Sequence, residues 1–307
     1  MPVIVPNGLP AIHTLASENI TVMTESRAKS QDIRPMKIVI LNLMPTKIAT
    51  ENQLIRLLSN TPLQVEITFL QTKSHEAKNV KPEHLKTFYR TFDEVKETCF
   101  DGLIITGAPV ETLAFEKVDY WEELCQIMKW SKTHIFSTFH LCWGAQAGLY
   151  FHHGIKKYAT GEKLSGIYTH NIHIQNHPFL RGFDDQFQAP HSRYTEIYEE
   201  EIEKREILEV LATSKEAGVY MVASKDFRQV YVTGHPEYEL HTLTLEYVRD
   251  VEKGIAPAIP VNYFPDDNPR SLPEVRWRAH GSLLFSNWLN VVYQEVPYEL
   301  EKIKELV

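Results

Sequence analysis

Cysteine is scarce in this chain of 307 residues, which carries three, at positions 99, 125 and 142. An odd and low number without any obvious pairing argues against a disulfide framework. It is typical of a protein kept in the reducing cytoplasm, which is where we expect this chain to be located.

The chain also lacks an excess of basic residues and a long apolar run. Its 32 Lys and Arg residues face 40 Asp and Glu residues, and the net charge of -8 argues against a nucleic-acid binder. No apolar run reaches membrane-spanning length, and the N-terminus lacks the order of a signal peptide. Nucleotide-binding patterns of the Gly-x-Gly-x-x-Gly or Walker type are absent, which argues against bound dinucleotides and nucleoside triphosphates.

Apolar segments alternate regularly with helical patterns in the first half of the sequence. The predicted strands are 36–43, 65–70, 103–106 and 135–141, and the predicted helices between them are 50–59, 84–98 and 120–130. Such alternation predicts an α/β fold with βαβ units, right-handed crossovers, and a mostly parallel sheet with helices on both faces.

The pattern changes after residue 155. Short turns separate the predicted strands 167–174, 218–224 and 229–234, which indicates hairpins and an antiparallel extension of the sheet. Helices are predicted at 238–253 and 277–292. Residues 1–35 contain four prolines without clear periodicity, so we expect an irregular N-terminal arm followed by a single catalytic domain over 36–300.

Cys142 lies where the apolar strand Ile135–Leu141 meets a helical pattern that begins near Ala145. A sharp strand-to-helix bend exposes the side chain at the bend and points backbone N–H groups at it. A helix N-terminus also favours the reactive thiolate. Cys142 is therefore a candidate nucleophile, although the local pattern fits a buried structural cysteine equally well.

A thiol nucleophile needs a base, and the base needs an orienting group. His235 and Glu237 follow the predicted strand that begins at Gln229, so both belong at the carboxyl edge of the sheet with Cys142. Glu237 can hold one ring nitrogen of His235 and leave the other for the sulfur. Taken alone, the sequence His-Pro-Glu also fits an ordinary exposed turn.

Two backbone groups are candidates for stabilising an oxyanion, the N–H groups of Trp143 and Gly107. The alternative for Gly107 is an ordinary turn between strand and helix. Histidines at positions 152, 153, 170 and 173 lack the spacing of a dependable metal site, so we expect no metal and no bound cofactor.

The elbow cysteine and the later His-Pro-Glu resemble the class I glutamine amidotransferase fold, although the residues flanking Cys142 are bulkier than that family's usual Gly-x-Cys-x-Gly. Three longer motifs resemble the homoserine O-acyltransferases of methionine biosynthesis, over about residues 1–300. These motifs are Leu-Asn-Leu-Met-Pro-Thr-Lys-Ile-Ala-Thr-Glu-Asn-Gln from residue 41, Thr-Gly-Ala-Pro-Val-Glu from residue 106, and Cys-Trp-Gly-Ala-Gln from residue 142.

This resemblance implies roles for residues at matching positions. Cys142 matches the acyl-accepting nucleophile, His235 the base, and Glu237 the third member of the triad. Lys163 and Ser192 match substrate-contacting positions. Arg249 matches the arginine that binds the amino-acid carboxylate, a role that suits a planar guanidinium. Without the resemblance, Lys163 and Arg249 would be read as solvated surface charges.

Position 111 distinguishes the acyl donors in this family, where a glycine leaves room for a succinyl carboxylate. Here the residue is Glu111, which fills that space and repels a second carboxylate. The resemblance therefore implies transfer of acetyl from acetyl-CoA, a co-substrate, to L-homoserine. A homoserine O-succinyltransferase, a glutaminase of the same fold and a non-enzymatic binding module are the alternatives. The oligomeric state stays open, with a homodimer as one option.

Overall fold

The computed structural model describes residues 3–17, 22–25, 34–74 and 79–306. In this part of the chain twelve strands form one sheet. They are β1 (Val3–Val5), β2 (Val22–Thr24), β3 (Met36–Leu41), β4 (Val65–Leu70), β5 (Tyr89–Arg90), β6 (Phe100–Ile105), β7 (Ile135–Leu141), β8 (Tyr158–Ile172), β9 (Gln186–Glu196), β10 (Leu208–Ser214), β11 (Gly218–Ser224) and β12 (Gln229–Val232).

The strand order is β2-β1-β4-β3-β6-β7-β12-β11-β10-β8-β9, with β5 paired to β4. All pairs from β2 to β12 are parallel, and all pairs from β12 to β9 are antiparallel. The predicted α/β class with an antiparallel extension is confirmed. Because β6, β7 and β12 are parallel neighbours, their carboxyl ends lie side by side at one edge of the sheet.

Nine α-helices lie in the described residues. They are α1 (Ala11–Ser17), α2 (Lys47–Leu58), α3 (Pro82–Phe88), α4 (Phe92–Val95), α5 (Trp121–His134), α6 (Trp143–His153), α7 (Glu199–Glu203), α8 (Thr242–Glu252) and α9 (Arg278–Glu295). Short 3₁₀ segments lie at Phe115–Lys117, Pro178–Leu180, Pro265–Asp267 and Leu300–Glu305.

The side chains of the central strand β3 alternate between the two faces of the sheet, as the period of a strand requires. Ile38 and Ile40 belong to the same core as Leu54 of α2 and Trp288 of α9. Val39 and Leu41 belong to a second core with α5 and α6. Helices therefore cover both faces, which explains why β3 is almost entirely apolar.

The expectation of an irregular arm over residues 1–35 is wrong where the structure describes it. Strand β1 pairs in parallel with β2, and Ile4 pairs with Glu66 of β4, so this segment extends the sheet. The sequence did not predict this strand because β1 has only three residues and lies between Pro2 and Pro6. Residues 1–2, 18–21 and 26–33 of the arm lie outside the described residues.

Other boundaries also differ from the predictions. The expected helix 84–98 is divided into α3 and α4 by the short strand β5. The expected helix 238–253 begins at Thr242, so Tyr238 lies in a turn before α8, closed by its N–H donating to the carbonyl of His235 at 3.1 Å. In the described residues, no helix is long and apolar enough to cross a membrane.

Candidate active site

Cys142 occupies the sharp bend between β7 and α6. Its backbone angles are φ 48° and ψ -115°, outside the common regions for a residue with a side chain. Its N–H donates to the carbonyl of Val232 on β12 at 2.7 Å, which fixes the bend against the neighbouring strand. Gly144 allows α6 to approach β6, because a Cβ there would lie 2.7 Å from the carbonyl oxygen of Thr106. The backbone of the predicted nucleophile is therefore held at the bend in a conformation that residues with side chains seldom adopt.

His235 and Glu237 lie just beyond the carboxyl end of β12, the strand next to β7. The His235 Nδ1 and Glu237 Oε1 atoms are 2.7 Å apart, and both residues are at least nine-tenths buried. Glu237 thus occupies one ring nitrogen, which leaves Nε2 for the sulfur of Cys142. Backbone contact holds the loop in place, since the His235 N–H donates to the carbonyl of Pro190 at 2.8 Å.

The electrostatic environment of His235 favours its charged form. Burial opposes the imidazolium, but the charges and hydrogen bonds of Cys142 and Glu237 outweigh burial and raise the pKa of His235 well above its ordinary value. Such an arrangement favours a proton on His235, next to the sulfur of Cys142. A thiolate at a helix N-terminus is a competent nucleophile without further activation.

Gly107 lies next to both Cys142 and His235. A Cβ on Gly107 would lie 3.2 Å from the Cβ of Cys142, and 3.8 Å from both the Cys142 sulfur and His235 Cε1. Among the described residues, neither the Gly107 N–H nor the Trp143 N–H donates a hydrogen bond within the protein. Two free backbone donors flanking the sulfur are suited to stabilising an oxyanion, which stays a prediction for both.

Two carboxylates of α8 bring together three residues that are far apart in the sequence, namely Lys163, Ser192 and Arg249. Lys163 Nζ lies 2.9 Å from Asp250 Oδ2 and 3.5 Å from Glu246 Oε2. Ser192 donates to Glu246 Oε2, and Arg249 donates twice to Asp250 Oδ1, at 2.9 and 2.8 Å. We call the cluster of these five residues the amino-acid pocket, after the role that the resemblance implies for Lys163, Ser192 and Arg249.

A bulge in β8 aims Lys163 at this pocket. Pairing with β9 moves from Ala159 opposite Thr195 to Leu164 opposite Arg193, so β8 has extra residues between these pairs. A bulge bends the strand and redirects its side chains. Lys163 is the last residue of the inserted stretch, and its side chain is 14% exposed despite its charge. The lysine is therefore held in the protein rather than solvated.

Glu111 follows the Gly107 loop and is partly buried. Burial raises the pKa of Glu111, while the positive charges of Lys163, His235 and Lys157 act against that rise. The loop is held through its backbone, because Lys157 donates to the carbonyls of Glu111 and Leu113. The charges of Lys163 and His235 act on the partly buried Glu111, so a position near the site stays a prediction for this residue.

Sequence reasoning missed several residues of the site. Tyr238 stacks on His235, Glu246 joins Tyr238 to Lys163, and Asp250 joins Lys163 to Arg249. Glu246, Arg249 and Asp250 share one helix at spacings of three and four, which is the signal that could have predicted their common face. Tyr238 carries no such signal, because the predicted helix 238–253 includes it as a helical residue.

Three of the four histidines considered as metal ligands form hydrogen-bond contacts with other residues. His170 lies 2.9 Å from His191, and His173 lies 2.7 Å from Thr213. His153 contacts the hydroxyl of Tyr231 at 3.1 Å. Within the described ranges, no three His, Cys, Asp or Glu side chains are grouped so that they could hold a metal ion.

Curated proteins with similar sequences are named homoserine O-acetyltransferases and match over nearly their full length. The chain is 57% identical over 308 residues to a homoserine O-acetyltransferase of Petrotoga mobilis, covering 100% of both chains. It is 58% identical to a homoserine O-acetyltransferase of Acetivibrio thermocellus, covering 99% of this chain and 100% of that protein.

A solved structure with a similar fold is a glutamine amidotransferase of Thermotoga maritima, with a TM-score of 0.56 and 13% identity over 86% of this chain and 100% of the other. This likeness confirms the fold that the sequence predicted. A sequence model of the family described as homoserine O-succinyltransferase matches residues 2–298. The resemblance found in the motifs is thereby confirmed, and the chain belongs to the homoserine O-succinyltransferase family.

Proposed function

We propose that this protein is a homoserine O-acetyltransferase, which moves an acetyl group from acetyl-CoA to the hydroxyl of L-homoserine through an acetyl-cysteine. The observation that carries the proposal is the buried Cys142, His235 and Glu237 triad placed beside a pocket of two cations and two carboxylates. Full-length relatives named homoserine O-acetyltransferase support this activity.

The first half-reaction acetylates the enzyme. The Cys142 thiolate attacks the carbonyl carbon of acetyl-CoA, and the oxygen becomes an oxyanion beside the N–H groups of Gly107 and Trp143. The bond between the carbonyl carbon and the CoA sulfur then breaks, and CoA leaves with the proton held on His235. The products of this step are free CoA, acetyl-Cys142 and a neutral His235.

The second half-reaction uses neutral His235 as the base. His235 takes the hydroxyl proton of homoserine as the oxygen attacks the carbonyl of acetyl-Cys142, with Glu237 stabilising the imidazolium that forms. Cys142 then leaves as a thiolate, which restores the starting ion pair and releases O-acetyl-L-homoserine. The same proton-transfer group therefore serves both halves of the cycle.

The amino-acid pocket has the charges that a zwitterionic acceptor requires. Arg249 offers a guanidinium that is half exposed, and a carboxylate can be bound by its remaining N–H groups in bidentate fashion. Lys163 adds a second positive charge, and Ser192 adds a hydroxyl beside Glu246. An amino acid bound through its carboxylate here would present its hydroxyl toward the triad.

Glu111 supports acetyl over succinyl as the transferred group. The positive charges of Lys163 and His235 act on its partly buried carboxylate, which supports a position near the distal end of a bound succinyl group. Two like charges about 4 Å apart repel by roughly 4 kcal/mol at an effective dielectric constant near 20, which is about a thousandfold in rate. Succinyl transfer is the second candidate, because the family model carries that name.

The decisive experiment is the intact mass of the protein after mixing with acetyl-CoA alone. Wild-type protein should gain one acetyl mass, and Cys142→Ala should gain none. Cys125→Ala is the matched control, because this half-buried cysteine has a pKa raised to about 11 by burial and should leave the adduct unchanged. Addition of homoserine should then remove the acetyl group and release O-acetylhomoserine.

Different failures have different meanings. Absence of any adduct, together with intersecting lines in a double-reciprocal plot, would contradict the two-step scheme. An adduct that forms faster with succinyl-CoA would contradict the donor assignment alone. Release of ammonia from glutamine without reaction of acetyl-CoA would identify a glutaminase instead.

Acetyl-CoA and homoserine are the expected partners, and the cytoplasm is the expected location. A homodimer is one oligomeric state for sedimentation to test.

A further inference from the structure

Tyr238 contacts the catalytic base over the whole face of its ring. The ring centroids of Tyr238 and His235 are 4.0 Å apart, and the rings are inclined by 20°. The Tyr238 hydroxyl donates to Glu246 Oε1 at 2.6 Å. Glu246 Oε2 in turn accepts from Ser192 and lies 3.5 Å from Lys163. One side chain therefore touches both the base and the amino-acid pocket.

A small separate core holds Tyr238 in place. Its ring belongs to a buried cluster with Ile167 of β8, Leu243 of α8 and three aromatic residues, Tyr263, Phe264 and Trp277. The Trp277 indole donates to the Tyr238 carbonyl at 2.8 Å. Only 7% of Tyr238 is exposed. Both the backbone and the ring of this residue are fixed before any substrate binds.

We propose that Tyr238 is a positioning residue with two separable parts, a ring that orients His235 and a hydroxyl that orients the amino-acid pocket through Glu246. The proposal rests on the proposed function and extends it. His235 has Glu237 at one nitrogen, and in the described part of the chain no second ring stacks on it, so the stack with Tyr238 sets its tilt toward Cys142. The hydroxyl supplies a hydrogen bond to a largely buried carboxylate that also anchors Ser192 and Lys163.

The two parts act on different steps. Proton transfer in both half-reactions needs the imidazole at a fixed angle, so the ring serves both. The hydroxyl contacts Glu246 and not Cys142, so its loss disturbs the binding of homoserine and leaves acetylation intact. A hydrogen bond to a charged group of this kind changes an equilibrium by about ten- to a hundredfold.

The test compares Tyr238→Phe and Tyr238→Leu in both half-reactions, measured separately by rapid mixing and mass spectrometry. Wild type is checked first, since a wild type without an acetyl adduct would refute the proposed function and not the role of Tyr238. Tyr238→Phe should acetylate within about twofold of wild type and lose about ten- to a hundredfold in kcat/KM for homoserine. Tyr238→Leu should lose at least tenfold in both steps.

Tyr231→Phe is the matched control. Tyr231 is fully buried, stacks on His140 with centroids 4.8 Å apart, and donates or accepts through its hydroxyl with His153, all outside the active site. It should change neither half-reaction. An equal loss in both steps for Tyr238→Phe, a wild-type homoserine KM, or the same split in Tyr231→Phe would each overturn the proposal. If Tyr238→Leu does not fold, the split in Tyr238→Phe carries the test alone.

Discussion

Replacing Gly107 by alanine should abolish most of the activity while leaving the fold intact. The new methyl group would lie 3.2 Å from the Cβ of Cys142, which the neighbouring atoms can accommodate by shifts of a few tenths of an ångström. It would also lie 3.8 Å from the sulfur and from His235 Cε1, in the space beside the sulfur that the proposed mechanism assigns to the acyl carbonyl. The methyl group should therefore block the substrate without a severe clash with protein atoms.

The expected loss in kcat/KM for acetyl-CoA is about a hundredfold, the cost of displacing the reacting group by about 1 Å, because alanine keeps the backbone N–H. The free energy of unfolding should change by less than about 1 kcal/mol. Gly148→Ala provides the contrast, because its methyl would lie 2.7 Å from His140 and 2.8 Å from Tyr231. That variant should lose about 1–3 kcal/mol of stability through overpacking and keep its activity per folded molecule.

Both variants are compared by urea unfolding and by the rate of acetyl adduct formation. A Gly107→Ala protein that acetylates at the wild-type rate would refute the placement of the acyl carbonyl beside Gly107. An unfolded Gly107→Ala protein would instead refute the packing argument, because the contacts that the methyl makes would then be structural.

Three further results are expected from the same structure. Glu237→Gln should lower turnover less than His235→Asn, which should cost about a hundred- to ten-thousandfold per half-reaction because the base itself is lost; equal turnover of Glu237→Gln and wild type would refute the triad. Glu111→Gly should raise the ratio of succinyl-CoA to acetyl-CoA use, up to about a thousandfold if the repulsion is fully relieved, and an unchanged ratio would place Glu111 outside the acyl site. Burial lowers the pKa of His140 to about 4 and of His170 to about 3, below the unfolded value near 6.5, so acid protonates the unfolded chain first. In urea unfolding these two rings should contribute stability that is present above pH 6.5 and falls by up to about 3 kcal/mol per pH unit between pH 6 and 5. A flat profile there would contradict the neutral, buried state of both rings.

The sequence predicted the central sheet well because its strands carry clear hydrophobic patterns. Strands β3, β6 and β7 are mostly apolar runs between helical patterns, and β4 alternates apolar residues with Glu66 and Thr68. The strands missed are those without this signal. Strand β9 begins Gln186-Phe187-Gln188 and contains Pro190 and Arg193, at the edge of the sheet, where polar residues are tolerated and the hydrophobic pattern is weak.

The triad was predictable for the same reason, since the topology brings the carboxyl ends of parallel strands together. The amino-acid pocket was not, because Lys163 reaches it through a bulge, and the length of a bulge is not readable from side-chain alternation. Its role came from family resemblance alone. Tyr238 is not predicted as a site residue because the sequence pattern starts helix α8 at residue 238, four residues before its observed start. In the structure Tyr238 lies in the preceding turn and stacks on His235.

The backbone angles of Cys142 have a consequence for the history of this protein. A residue with a side chain held at φ 48° and ψ -115° costs the folded state about 1–3 kcal/mol, which a glycine would largely avoid. The mutation that most relieves this bend is thus also the one that removes the sulfur. At this position a substitution that raises the free energy of unfolding would remove the proposed nucleophile. Substitutions that stabilise the protein and keep its activity are therefore expected at other positions.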